Sequence, residues 1–203
     1  MCDFISWCDD SFLDLNVSKT QELIIDFRRH KDVPKECIIH NDNVEIVTSY
    51  KYLGTIFDDH LKFDVNTECI VKRGQQRMHL LRKLNSFSVR PFILCRFYQA
   101  FIESLICFSF ICWFHSLTLK DRNSLNSIVK TCSKIIGVKQ RDLNSFCNQQ
   151  ILQKAESILN SPGHVLSHEF RLLPSGRRYA LPALKTNRFS KSFIPSALKL
   201  LNS

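Results

Sequence analysis

Residues 70–84, IVKRGQQRMHLLRKL, decide the fold class of the central part of the chain. Apolar residues recur in this stretch at helical spacing, and the basic residues fall largely on other faces. The same periodicity resumes after Pro91, and proline is tolerated at the first position of a helix. It appears again in residues 125–136 and 151–159. Gly137 is the expected C-cap of the third of these segments. The sequence therefore predicts four helices beyond residue 63.

Upstream of residue 63, short apolar runs alternate with turn residues. Residues 22–27, 37–39, 44–47 and 50–57 are predicted strands of a small antiparallel sheet, with a tight hairpin turn at His40–Asn43. From residue 161 the chain is rich in Pro, Gly and Arg, which predicts an irregular basic tail. We therefore predict an α+β fold in three parts, which comprise residues 1–62, 63–160 and 161–203.

The net charge of +9 is distributed unevenly along the chain. Residues 1–68 contain 7 Lys and Arg against 14 Asp and Glu, whereas residues 69–203 contain 21 against 5. A basic segment of this size favours polyphosphate partners, although a solvated basic surface has the same composition. The chain has only 5 glycines, and none of them form a phosphate-cradling loop. The composition therefore argues against a nucleotide or methyl-donor cofactor site.

Cysteine usage and the apolar segments bear on the compartment. The 9 cysteines are scattered and lack a CxxC pair, which predicts reduced thiols in an intracellular protein, nuclear or cytoplasmic, rather than disulfides or a zinc site. The amino terminus lacks the features of a signal peptide. Residues 91–117 are the one candidate for a membrane-spanning segment. Arg96 and Glu103 in the interior of this segment favour a buried core helix instead.

Four segments, taken in order, resemble a known family. They are Trp7-Cys8 with LNVSKT at 15–20, SYKYLG at 49–54, FYQAFIES at 97–104, and LLPSGRRY at 172–179 with KTNRF at 185–189 and SFIP at 192–195. In order and spacing they resemble the carboxy-terminal part of LINE-type (non-LTR) retrotransposon reverse transcriptases. The resemblance implies the end of a polymerase palm, then a helical thumb, then a basic tail.

The resemblance also implies roles for individual residues. Lys19 matches a lysine near the phosphates of the incoming nucleotide, and Tyr52, Leu53 and Gly54 match the primer grip. The thumb would hold a template–primer duplex through its backbone, without reading sequence. The implied partners are the RNA or DNA backbone and the rest of a LINE polyprotein, with no membrane. The candidates for backbone contact are Arg73, Arg77, Arg82, Lys83, Arg90, Arg177, Arg178 and Arg188.

The catalytic carboxylates of that family do not occur in this sequence. The family holds two Mg²⁺ ions with one upstream aspartate and an aromatic-Ala-Asp-Asp turn. The pairs Asp9-Asp10 and Asp58-Asp59 lack the aromatic-Ala lead and are predicted to be solvated turn acids. We therefore expect no catalytic residue, metal or cofactor in this chain, and no polymerase activity. Non-specific backbone binding is the expected residual function.

Two other interpretations remain open. Residues 69–113 also resemble the segment named after the N-terminal domain of AlkB homologue 8, a dioxygenase and methyltransferase. An Fe(II)/2-oxoglutarate dioxygenase needs a His-x-Asp…His triad. His40-x-Asp42 is present, and the spacing of Arg171 and Arg177 is similar to that of the downstream arginine that binds the 2-oxoglutarate carboxylate in such enzymes. However, His40 and Asp42 lie in the predicted hairpin turn. The other interpretation is a non-catalytic helical binding module, or a truncated reading frame without function.

Overall fold

The computed structural model describes residues 2–28, 37–161 and 163–203. The chain divides into two compact units, Met1–Lys62 and Phe63–Ser203. Short strands characterise the first unit and helices dominate the second, so the fold is α+β, as predicted.

The first unit begins with a helix that the sequence patterns did not predict, α1 (Cys2–Asp10). A 3₁₀ turn at Val17–Lys19 follows. The described strands are β1 (Gln21–Leu23), β2 (Ile38–Ile39), β3 (Asp42–Asn43), β4 (Glu45–Val47), β5 (Ser49–Tyr52) and β6 (Thr55–Asp58). They pair as β1 with β4 in parallel, and as β2 with β3 and β5 with β6 antiparallel. These three separate ladders replace the single antiparallel sheet that we expected.

A hairpin forms where one was predicted, but it is shorter: the turn is His40-Asn41, Asp42 and Asn43 form its second strand, and the predicted partner Glu45–Val47 pairs with β1 instead. Ile39 pairs with Asp42, and His40 and Asn41 at the tip have φ of 49° and 70°. Positive φ at both central residues is typical of the type I′ turn, one of the two common two-residue hairpin turns. Part of the preceding segment, residues 29–36, lies outside the described residues.

The strand predicted over residues 50–57 is wrong, because the chain reverses in its middle. Tyr52 pairs with Thr55, and the turn between them has φ of 45° at Leu53 and 94° at Gly54. The run does not alternate strictly, because the apolar pairs Tyr52-Leu53 and Ile56-Phe57 flank Gly54-Thr55, and a glycine inside a strand pattern is a local sign of an interruption. Gly54 is the residue whose conformational freedom permits the reversal.

All four predicted helices form in the second unit, and other helices join them. The helical elements are α2 (Asp64–Ser86), α3 (Pro91–Phe97), a π-helical segment (Tyr98–Glu103), α4 (Ser104–Cys107), α5 (Phe110–Trp113), α6 (Leu119–Ile136), α7 (Leu143–Leu159), α8 (Asn187–Ser190) and α9 (Phe193–Leu201), with 3₁₀ turns at Phe114–Ser116 and Ser167–Glu169. The α2 helix packs along α6, and α7 packs against α5 and α9.

Side-chain caps determine where α6 and α7 begin. The Thr118 hydroxyl accepts a hydrogen bond from the amide of Asp121 at 3.2 Å. The Asp142 carboxylate accepts one from the amide of Ser145 at 3.0 Å. Both contacts satisfy backbone donors that the first helical turn leaves without an internal partner. At the other end of α6, Gly137 adopts φ of 78°, which confirms it as the predicted C-cap.

The core of the second unit contains several aromatic side chains and one close helix–helix contact. Trp113, Tyr98, Phe110 and Phe114 are among its largest fully buried side chains. At the contact of α2 with α6, a Cβ added at Gly74 would lie 2.9 Å from Cδ1 of Ile128.

Among the described residues, one helical stretch, Pro91–Ser116, is long and apolar enough to cross a membrane by length and composition. A third of this apolar stretch is buried in the unit, including Tyr98, Ile102 and Ile106, whereas Phe92, Ile93, Phe101 and Phe108 are exposed, so the expected core helix buries one face only. The helix is also interrupted, because Ser109 adopts a left-handed conformation with φ of 51°. A break of this kind leaves backbone groups without helical partners, which is unfavourable in lipid.

The basic tail is irregular for much of its length but ends in a packed helix. Ala197 and Leu198 of α9 are fully buried, and α9 contacts α7. The Asn202 side chain also holds the tail, accepting from the amide of Tyr179 at 2.8 Å and donating to its carbonyl at 3.1 Å. The amphipathic spacing of α9 explains why this end of the tail packs instead of remaining irregular.

Candidate nucleic-acid interface

Lys19 is presented by a well-defined turn. The Asn16 side chain accepts hydrogen bonds from the Lys19 amide at 3.2 Å and from the Ser18 hydroxyl at 2.7 Å. The Thr20 hydroxyl donates to the Asn16 carbonyl at 2.9 Å. The Asn-x-x-Lys-Thr residues therefore stabilise the turn itself, while the Lys19 side chain is exposed and available to an anionic partner.

The three residues matched to the primer grip form the tip of the β5–β6 hairpin. Tyr52 is 58% exposed and Leu53 is 76% exposed. The tip therefore presents an aromatic and an aliphatic side chain to solvent on a rigid two-residue turn. Such a surface can contact a ligand through stacking and apolar contact, but it has no ionic group of its own.

The basic residues of α2 are distributed around the helix and do not form a single face. Arg73 and Arg77 are four residues apart and lie on adjacent turns of the same side. Arg82 follows Arg73 by about two and a half turns, which places it on the opposite side of the helix axis. Lys83 points away from the buried residues of α2, such as Leu81. Only some of the basic side chains of α2 can therefore contact any one partner at the same time.

Arg77 already has a structural partner. Its guanidinium donates a hydrogen bond to the carbonyl of Phe101, in the π-helical segment. This contact fastens α2 to the segment that carries the buried Tyr98 and Ile102. Arg77 is therefore half-buried, whereas its neighbour Arg73 is exposed.

The other predicted contacts lie on separate elements. Arg90 is exposed and immediately precedes α3. Arg177 and Arg178 are adjacent in a loop closed by the bridge between Leu172 and Tyr179, and both are exposed. Arg188 lies in α8, which the Thr186 hydroxyl caps by accepting from the Phe189 amide at 3.1 Å.

The structure reveals a second cluster of cations, which the sequence patterns did not single out. Lys130 and Lys134 of α6, together with Lys139 and Arg141 of the following loop, line a hollow of about 410 Å³. The i, i+4 spacing of the two helical lysines was a visible signal, but their meeting with the loop cations was not. That meeting depends on the reversal of the chain after Gly137.

A partly buried cysteine–histidine pair, with Cys147 buried and His115 half-buried, was also not predicted. Sγ of Cys147 lies 3.5 Å from Nε2 of His115. Burial raises the pKa of the Cys147 thiol to about 12, and it lowers the pKa of His115. Both groups are therefore neutral near pH 7, so the pair contains a thiol and not the thiolate that nucleophilic chemistry requires. We interpret it as a core contact.

The acids at the end of β6 belong to a turn. The ligand atoms of Asp58, Asp59 and His60 lie within 4.8 Å of one another. However, Oδ1 of Asp58 accepts hydrogen bonds from the amides of His60 and Lys62, each at 3.0 Å. The Asp59 carboxylate contacts Nδ1 of His60 at 2.5 Å. These contacts give the acids a local structural role in the turn.

The His-x-Asp pair considered for a dioxygenase lies at the β2–β3 hairpin. Nε2 of His40 is 3.4 Å from Oδ1 of Asp9, and both side chains are about half exposed. In the described part of the chain, His40 and Asp42 belong to no group of three ligands close enough to share a metal ion. The hairpin therefore does not resemble a preformed facial triad.

Comparison with known proteins identifies one segment. Residues 63–104 match the family described as alkylated DNA repair protein alkB homolog 8, N-terminal. The matched residues begin earlier and end earlier than the resemblance expected at 69–113, and they comprise α2, α3 and the π-helical segment. Searches of curated proteins and of solved structures gave no match. Over residues 63–104, the chain is thus similar to the N-terminal region of that alkB homolog.

Proposed function

We propose that the helical unit, residues 63–203, binds the phosphate backbone of RNA or DNA without catalysing a reaction on it. The observation that carries this proposal is the content of 21 basic and 5 acidic residues in 69–203, combined with the exposure of most of the basic side chains. Backbone contacts of this kind depend on charge and position rather than on a preformed pocket. The description of the matched family names a DNA repair protein, and a nucleic-acid partner is consistent with it.

We further propose that the chain derives from a LINE-type reverse transcriptase, with the first unit as the end of a palm and the second as a thumb. The support is the order of the four sequence motifs. On this interpretation, Lys19 and the hairpin tip at Tyr52, Leu53 and Gly54 would lie beside the primer and the incoming nucleotide. The Mg²⁺ ions of the parent enzyme would need carboxylates that these 203 residues do not contain, so we expect no polymerisation.

Nucleic-acid binding should depend steeply on salt. For a protein that neutralises 6 to 10 phosphates, affinity for duplex DNA falls by about 10³–10⁵-fold between 50 and 200 mM salt, because bound counterions are released. We expect a loss in this range for the full chain, measured by fluorescence anisotropy with a labelled DNA duplex. Double substitution R177Q/R178Q should weaken binding and lower the salt slope by about 2, at about 0.9 per phosphate contact.

The matched control for that experiment is K51Q/K62Q, which removes the same charge from exposed positions of the acidic first unit. It should leave the slope of the helical unit unchanged. An affinity that does not change with salt would contradict backbone binding. Equal effects of the two double variants on binding would instead show that affinity depends on the net charge of the chain. In that case the loop that carries Arg177 and Arg178 would have no specific role in binding.

The match to the alkB homolog favours a second candidate, an Fe(II)/2-oxoglutarate-dependent activity. His40 and Asp42 are the residues that would have to hold the iron, yet they precede the matched segment. We expect no decarboxylation of 2-oxoglutarate above the iron-only background, because among the residues that the structure describes no third ligand accompanies His40 and Asp42. Measurable succinate formation that His40→Ala abolishes, and that the control His60→Ala retains, would establish this candidate instead.

A further inference from the structure

The hollow between the end of α6 and the start of α7 has the features of an anion site. Its lining includes Lys130, Lys134, Lys139 and Arg141, with Ser133 and Gln140 between them. All four cationic side chains are exposed at its rim. Within residues 37–161 and 163–203, none of the three lysines forms an ion pair with a carboxylate within 4.0 Å. Four positive charges and the carboxylate of Asp142 therefore border one space, which leaves its lining with a net charge of +3.

The polar groups around this hollow are held in place by contacts within the unit. Arg141 donates to Oε1 of Gln149 at 3.1 Å, and its guanidinium lies 5.2 Å from the centre of the Phe146 ring. The backbone amide of Gln140 donates to the Ser133 hydroxyl at 3.0 Å, and its side-chain Nε2 donates to the Val138 carbonyl at 2.9 Å. The loop is thus preorganised, which lowers the entropic cost of binding a ligand.

One carboxylate, that of Asp142, also borders the hollow and offsets part of its positive charge. Oδ2 of Asp142 accepts hydrogen bonds from the amide of Ser145 at 3.0 Å and from its hydroxyl at 3.4 Å. It therefore serves as the cap of α7. The other charged side chains of the lining are positive. The hollow therefore fits a ligand that carries several negatively charged oxygen atoms.

We propose that this hollow is a phosphate site, and that its occupant is the phosphodiester backbone of a nucleic acid. Lys130 and Lys134 lie one turn apart on α6, while Lys139 and Arg141 approach from the loop, so the cations flank the space from two elements. An ammonium is a mobile point charge, whereas a guanidinium can donate two parallel hydrogen bonds to a phosphate. The choice of a nucleic acid as the occupant rests on the proposed function. The inference that the hollow binds phosphate rests on its own side chains.

The test uses the full chain, the triple variant K130Q/K134Q/K139Q, and a control with the same loss of charge. The control is K154Q/K185Q/K199Q, at exposed positions of the same unit outside the hollow. Sodium tripolyphosphate binding is measured by isothermal titration calorimetry, and binding of a labelled DNA duplex by anisotropy over a salt series. Circular dichroism confirms that all three proteins are equally folded.

We expect the hollow variant to bind tripolyphosphate at least about tenfold more weakly, and to lower the DNA salt slope by about 2–3, since each phosphate contact contributes about 0.9. The control should change either quantity much less. Equal effects of the two triple variants on tripolyphosphate would overturn the phosphate site.

The two ligands separate this inference from the proposed function. If tripolyphosphate binding is lost while DNA binding is unchanged, the nucleic-acid occupant is wrong and a free phosphate compound occupies the site. If the wild-type chain binds no nucleic acid but binds tripolyphosphate through these lysines, the proposed function fails while the phosphate site stands.

Discussion

Replacing Trp113 by alanine is expected to lower the free energy of unfolding of the helical unit by about 3–5 kcal/mol, the range for deleting a buried aromatic side chain. Trp113 is fully buried, its ring meets Phe110 edge to face at 5.2 Å, and Nε1 donates to the Phe108 carbonyl at 3.0 Å. The substitution removes all three contributions and also leaves that carbonyl without the indole donor. Denaturation in urea, followed by circular dichroism, measures the change.

Trp7 provides the matched control, because it is the other of the 2 tryptophans and is 55% exposed. Trp7→Ala should change stability by no more than about 0.5–1 kcal/mol, as is usual for exposed side chains. Fluorescence distinguishes the two sites, since a buried indole emits at shorter wavelength than an exposed one. Similar losses in the two variants would mean that Trp113 is not a core residue.

The second large effect is expected at Gly74, where overpacking should destabilise the contact between α2 and α6. A Cβ at this position would lie 2.9 Å from Cδ1 of Ile128, and a leucine adds three further carbons. Leucine is a good helix former, so any loss from Gly74→Leu reports packing rather than helix propensity. We expect a loss of about 1–3 kcal/mol, measured by the same denaturation experiment.

Two further variants sharpen this prediction. Gln76→Leu introduces the same residue at an exposed position of α2 and should be close to neutral. Ile128→Val removes the Cδ1 atom that a new Cβ would meet, so in that background Gly74→Ala should be neutral or stabilising by up to about 1 kcal/mol. A double-mutant cycle without coupling between positions 74 and 128 would contradict the close contact.

The helices could be predicted from the sequence because each one carries its own signal. The spacing of Ile70, Met78 and Leu81 identified the buried face of α2, and Gly137 identified the end of α6. Such signals are local, since they depend on one helical period and one cap. They do not depend on what the helix packs against.

The strands and the tail were less predictable for the opposite reason. The parallel pairing of β1 with β4 joins segments that are far apart in sequence, and no local pattern encodes it. The reversal at Leu53 and Gly54 divides a β-rich run that was predicted to be one strand. The burial of Ala197 and Leu198 depends on the surface that α7 offers to α9.

For the candidate interface, the sequence by itself determined that the helical part is basic and that its charged residues lie outside the core. The tertiary structure decided which cations meet. It directs Arg77 to the Phe101 carbonyl and brings Lys139 and Arg141 beside Lys130 and Lys134. Hydrophobic periodicity specifies which side of a helix is buried, whereas the meeting of charges from different elements depends on how the chain turns between them.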